Sequence, residues 1–129
     1  MECKTKVVCI KLTNEYDFCI MRPSNWGNPF SHKRESLAEV ILNSREEAVQ
    51  AFEDWYLGKA YLDLLPEKRL WIRDHIHLLK HKRIACICNL AKGQMCHGLI
   101  LAKYADPEFK IEEHIKILIK QEKKINKLF

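Results

Sequence analysis

The chain predicts a single small α/β domain: a mixed three- or four-stranded sheet flanked by helices, with one extra helix at the C-terminus. Three observations lead there. Apolar or β-branched runs of strand length stand at residues 6–12, 16–21 and 84–88. Stretches with helical spacing lie between and after them. A length of 129 residues is enough for one hydrophobic core and short for two. The expected division is a domain over residues 1–106, followed by a lysine-rich amphipathic helix over 107–129 packed on that domain.

Residues 6–12 (KVVCIKL) and 16–21 (YDFCIM) read as strands separated by polar Thr13, Asn14 and Glu15, which suggests a hairpin. Residues 22–30 (RPSNWGNPF) are dense in turn formers and read as a stiff loop, continued by the polar segment 31–36. Residues 37–42 fit a short strand or a helical turn equally. Ser44-Arg45-Glu46-Glu47 is a capping-box sequence, and Ala48, Phe52, Trp55 and Tyr56 continue it as one apolar face up to Gly58. Pro66 starts a further helix, in which Leu70, Trp71, Asp74, His77, Leu78 and His81 follow helical spacing. The wholly apolar 84–88 run suits a strand covered on both faces. After Pro107, Ile111, Ile115, Leu118 and Ile125 form a stripe opposite a lysine-rich face, a solvated surface or a binding one.

Composition bounds the function. An apolar fraction of 47% and a charged fraction of 30% are ordinary for a soluble domain. No apolar run approaches the roughly 18 residues that cross a bilayer, so no membrane partner is expected. The first twelve residues carry no apolar leader. Six cysteines without secretory context read as reduced thiols, hence a cytoplasmic address, with Cys3, Cys9 and Cys19 as small hydrophobes. A net charge of +5 permits contact with nucleic acid or a phosphorylated ligand. The glycine-rich phosphate and dinucleotide signatures and the H-E-x-x-H zinc motif are absent.

Three chemistries compete in residues 83–98 (RIACICNLAKGQMCHG). Cys86 and Cys88 leave one face of a strand, and Cys96 and His97 stand at a helix N-terminus. Together Cys86, Cys88, Cys96 and His97 offer the sulfur and nitrogen donors that zinc prefers. The adjacent Cys96-His97 pair would strain one centre, so a three-ligand version with Cys96 or His97 left out is easier and leaves a position for water or substrate, with His32, His75 or His77 as candidates to complete it. Alternatively Cys96 is a catalytic nucleophile, its thiolate favoured by the helix terminus and by His97. The third reading is ligand capture between this turn and the 22–30 loop. There Arg22 or Lys33 would pair with phosphate, Trp26 would stack on a base, and Ser24, Asn25 or Asn28 would read polar edges.

The loop RPSNWGNPF followed by SHK, the segment SREEAVQAFEDW, and ACICN followed by CHG come in an order that resembles the phage and bacterial domain-of-unknown-function family numbered 4326. The resemblance spans Tyr16 to about Ala105. It implies Arg22, Trp26, Gly27, Asn28, Pro29, Phe30, Arg45, Cys86, Cys88, Cys96 and His97 as shared positions, and a phage or prophage setting. Leu99 stands where members of that family often carry an acidic residue. The expected function is binding, or turnover, of a nucleotide or related phosphorylated metabolite where the loop meets the thiols. The alternative is a non-catalytic zinc-stabilised module that binds a host protein or nucleic acid.

Overall fold

A computed structural model of the chain describes residues 4–33, 38–88 and 90–126. Its strands β1 (Lys6–Cys9) and β2 (Phe18–Cys19) flank β5 (Arg83–Cys86), and both pair with it in parallel. The register sets Val7 opposite Ile84 and Cys19 opposite Ala85. The α/β class holds, but the hairpin expected from the first two strands does not form. Segment 10–17 instead turns at Cys9, whose carbonyl accepts from Leu12 and Thr13, and delivers β2 to the far side of β5. The physical reason lies in β5. Ile84 and Ala85 are wholly buried, and such a strand must pair on both edges to satisfy its backbone. The sheet is therefore parallel throughout rather than mixed.

A second parallel pair joins β3 (Phe30–Ser31) to β4 (Val40–Ile41). Phe30 and Ser31 thus leave the loop expected there, and the undecided 37–42 segment proves to be strand at Val40–Ile41. Leu37 and residues 34–36 of the preceding polar segment lie outside the described residues.

Helix α1 (Arg45–Tyr56) starts as its capping sequence requires, with Ser44 Oγ accepting from Glu47 N at 3.1 Å. The reciprocal bond reaches one residue further back, to Asn43 N at 3.2 Å. Gly58, at φ +75°, takes the left-handed turn that ends the helix. Helix α2 (Pro66–His75) has Pro66 in its first turn and tightens into a 3-10 helix over Ile76–Leu79. Its buried side chains are Ile72 and Leu79, while Leu70 and Leu78 are exposed, so the inward face is offset from the one expected. Another 3-10 turn, Leu90–Lys92, leads to α3 (His97–Ala105), which is buried along most of its length. Helix α4 (Ile111–Asn126) rests Ile111, Ile115 and Leu118 on the core. The side chain of Ile125 lies outside the described residues.

Gly98 marks where α3 meets the sheet. A Cβ there would stand 2.7 Å from Ile20 Cδ1 and 3.2 Å from Val7 Cγ1, so any larger residue would have to displace the Ile20 side chain, and glycine allows the close approach. That approach sets the N-terminus of α3, with Cys96 and His97, beside the end of β5.

Candidate metal and ligand-binding cleft

β5 ends at Cys86, and Ile87 turns outward before Cys88. Cys96 is the N-cap of α3, in an extended conformation, with its Sγ accepting from Gly98 N at 3.3 Å. The sulfurs of Cys86, Cys88 and Cys96 thereby lie within 4.8 Å of one another, a group that could hold a metal ion. Cys86 and Cys96 are buried and Cys88 is half-buried.

The electrostatics concentrate one negative charge on this group. Hydrogen bonds from Cys86 and Cys96 stabilise the Cys88 thiolate, and with the nearby Arg45 they pull its pKa down to about 2. Arg45 Nη1 donates to Cys88 Sγ at 2.9 Å. The same bond to Cys88 pushes the Cys86 thiol up to about 12. Cys96 rises as well, through its bonds to Cys86 and Cys88 and through burial. Three sulfurs that share one ionised state are poised to lose two further protons to a cation.

His97 is buried, and burial lowers its imidazole to about 4, so the ring is neutral. Its Nε2 lies 2.9 Å from the Trp26 carbonyl oxygen, which can only accept, so Nε2 carries the proton. Nδ1 is then a lone pair 3.9 Å from Cys96 Sγ. The strain expected of adjacent Cys-His side chains is relieved because Cys96 is extended while His97 is helical. His97 nevertheless stands outside the sulfur group.

The 22–30 loop and the thiol turn converge. Arg22, Asn28, Phe30, Lys33 and Arg45 share with the three cysteines and His97 a cleft of about 450 Å³, also walled by Lys11 and His32. Among its described lining residues there are four Lys or Arg side chains and no carboxylate. Much of the loop is occupied by its own structure. Arg22 Nη1 donates to the carbonyls of Asn28 at 2.7 Å and Phe30 at 3.4 Å. Asn28 Oδ1 accepts from Phe30 N, and its Nδ2 donates to the Ala48 carbonyl.

Ser24, Asn25 and Trp26 do not line the cleft. The stacking role expected of Trp26 is corrected by its burial: its ring packs edge-on against Trp71 at 4.9 Å and Phe18 at 6.3 Å. An indole gains more from that core contact than from solvent. Only its carbonyl serves the site, by orienting His97. Asn25 is exposed, and buried Ser24 Oγ has no hydrogen-bond partner among the described residues. His75 is stacked on Trp71 at 4.3 Å and, like His77, is absent from the cleft wall. Cys96, read as a nucleophile, is 3% exposed with its thiol pushed up, which disfavours attack on a substrate in the absence of a metal.

The family resemblance marks Arg45 as a shared position without giving it a role, and nothing in the residues marks Lys11. Arg45 sits in the first turn of a capped helix, where a cation is unfavourable against the helix dipole, and that misfit is the signal that could have marked it. Lys11 carries no such signal.

No curated protein and no solved structure matches the chain. The model of one family, described as a domain of unknown function (DUF4326), matches residues 4–107, a span that holds every residue of the cleft wall and stops short of α4. The chain belongs to that family.

Proposed function

We propose that the protein binds a phosphorylated small molecule, nucleotides included, in the cleft between the 22–30 loop and the thiol turn, beside zinc held by Cys86, Cys88 and Cys96. The observation that carries the reading is the charge of the wall: Lys11, Arg22, Lys33 and Arg45 line it, with no carboxylate among the described residues. Arg22 is committed to two backbone carbonyls and Arg45 to Cys88, so Lys11 and Lys33 are the cations an incoming anion meets. Ammonium groups on flexible stems suit a phosphate as point charges. A volume of about 450 Å³ suits a metabolite rather than a polymer. With Trp26 turned into the core, recognition rests on phosphate more than on a base.

Zinc is the metal of choice for three sulfurs. Tetrahedral zinc with bonds of about 2.3 Å sets its sulfurs about 3.8 Å apart, and the observed grouping within 4.8 Å needs only a small contraction. When bound, zinc would tie β5 to α3 and supply a Lewis-acid centre at the cleft floor. Among the described residues no helix is long and apolar enough to cross a membrane; on the reduced thiols we place the protein in the cytoplasm of a bacterium or a phage-infected cell.

The test is thermal unfolding against phosphate, pyrophosphate, sugar phosphates and nucleotides. A ligand bound only by the folded state raises the melting temperature with concentration. The rise is expected for at least one phosphorylated compound and is lost in the Lys11→Ala/Lys33→Ala double variant. No rise with any of them, or an equal rise in the double variant, overturns the reading.

One observation favours the rival, a zinc-stabilised module that binds nucleic acid or a host protein. Lys116, Lys120, Lys123 and Lys124 are exposed on α4. Partner binding that disappears on deletion from Pro107 onward would support it.

A further inference from the structure

We infer that the chain supplies three donors to its metal, not four, and leaves the remaining coordination position to a small ligand in the cleft. The inference rests on the metal reading proposed above and deepens it.

The donor census comes first. Cys86, Cys88 and Cys96 form a close group that no other histidine, cysteine, aspartate or glutamate joins among the described residues. The nearest imidazole, His97, donates its Nε2–H to the Trp26 carbonyl at 2.9 Å and holds its Nδ1 lone pair 3.9 Å from Cys96 Sγ, yet it does not join the group whose ligand atoms all lie within 4.8 Å of one another. His32 shares the cleft wall without entering the group. Zinc takes four ligands in a structural site and keeps one position for water or substrate in a catalytic one. Three sulfurs that line a cleft, with Cys88 half-buried beside two buried partners, match the second pattern.

Charge points the same way. A divalent ion with three thiolates carries one negative charge, which would repel an anion. The Arg45 guanidinium, 2.9 Å from Cys88 Sγ, offsets it. What remains is the positive charge of Lys11 and Lys33 on the same wall, so the cleft draws anions toward the metal rather than away. Arg45 is thus a positioning residue: it neutralises and orients the Cys88 thiolate without itself touching a ligand.

Cobalt(II) substitution reads the coordination sphere directly, because the intensity and position of its visible bands report ligand number and type. Azide is the probe, since it is small and needs no phosphate pocket. The protein loaded with one cobalt is expected to show sulfur-to-metal charge transfer, and saturable azide addition shifts the ligand-field bands. The same shift is expected in His97→Gln. Bands indifferent to azide in the wild type overturn the inference. So does a band shift caused by His97→Gln alone, which would make the imidazole a ligand, and so does failure to take up cobalt. Should Cys96→Ser fail to fold, Cys88→Ser, at the half-buried position, provides the check that the charge-transfer band belongs to these sulfurs. An azide shift without any phosphate-dependent rise in melting temperature leaves the open position standing and removes the phosphate reading. The reverse pattern does the opposite.

Discussion

Two hollows of similar size lie on this molecule, and they differ in how their charges are settled. The thiol cleft, about 450 Å³, has Lys11, Arg22, Lys33 and Arg45 on its wall and no carboxylate among the described residues. The second, about 400 Å³, gathers Lys4, His81 and Lys110 with Asp106, Glu108 and Glu113 where α4 meets β1. Its buried polar groups pair with one another. Thr5 Oγ1 donates to Asp106 Oδ2 at 2.8 Å and accepts from His81 N at 2.7 Å. Asp106 Oδ1 accepts from Glu108 N, and His114 Nε2 lies 3.0 Å from the Val7 carbonyl. Volume alone does not separate a site from a seam. The separation comes from donors that have each other and a cation, but no acid, beside them.

The largest expected effect breaks the first hollow. Cys86→Ser or Cys96→Ser should abolish metal uptake and cost about 3 kcal/mol or more, since binding energy at such a centre is folding energy. Metal analysis and chemical denaturation check it. Unchanged stability with no metal in either form would reduce the cluster to core packing.

Next comes the second hollow. Asp106→Ala leaves the Thr5 hydroxyl and the Glu108 N–H without their acceptor and should cost about 1–3 kcal/mol. Phosphate-induced stabilisation should be unaffected. Burial pushes the Asp106 carboxyl up, but the N–H of Glu108 and the Thr5 hydroxyl outweigh it, so its pKa lies below the ordinary 3.8. Its contribution is complete above that value and is lost as pH falls through the folded one. Burial also lowers the His114 imidazole from 6.5, so its contribution is full above 6.5 and declines below it. Urea midpoints measured from pH 7 to 3 should therefore fall first below 6.5, as His114 is protonated in the unfolded chain, and again below 3.8, and Asp106→Asn should flatten only the most acidic part.

Gly98→Ala is expected to cost about 1–2 kcal/mol, because wholly buried Ile20 has little room to retreat from the added methyl. It should also weaken metal affinity by displacing Cys96. A variant as stable as the wild type with intact metal binding would show that the contact of α3 with the sheet does not position the sulfurs. The smallest effect on stability separates binding from folding. Lys11→Ala and Lys33→Ala should each change stability by less than about 0.5 kcal/mol and still weaken anion binding.

Much of this architecture is legible in residues taken alone. Ser44 and Glu47 announce the start of α1, Gly58 its end, and Pro66 the start of α2, because those groups act on their own backbone within a turn. The N-terminal placing of Cys96 and His97 on α3 follows from the same local logic. Strand pairing was not legible, since the partner of Val7 is Ile84 and nothing between residues 6 and 21 encodes it. Side-chain direction was the second blind spot. Arg22, Trp26 and Asn28 have the chemistry of ligand contacts, yet Arg22 and Asn28 hold backbone groups and Trp26 fills the core. Loop residues near a site divide between building it and using it, and that division depends on contacts distant in sequence.

The most direct test of the account is the native mass of the purified protein, set beside that of Cys88→Ser. The account predicts one zinc per chain, with mass lost for the protons it displaces, and no zinc in the variant. A folded wild-type chain that carries no metal and takes up none when zinc is supplied would contradict it.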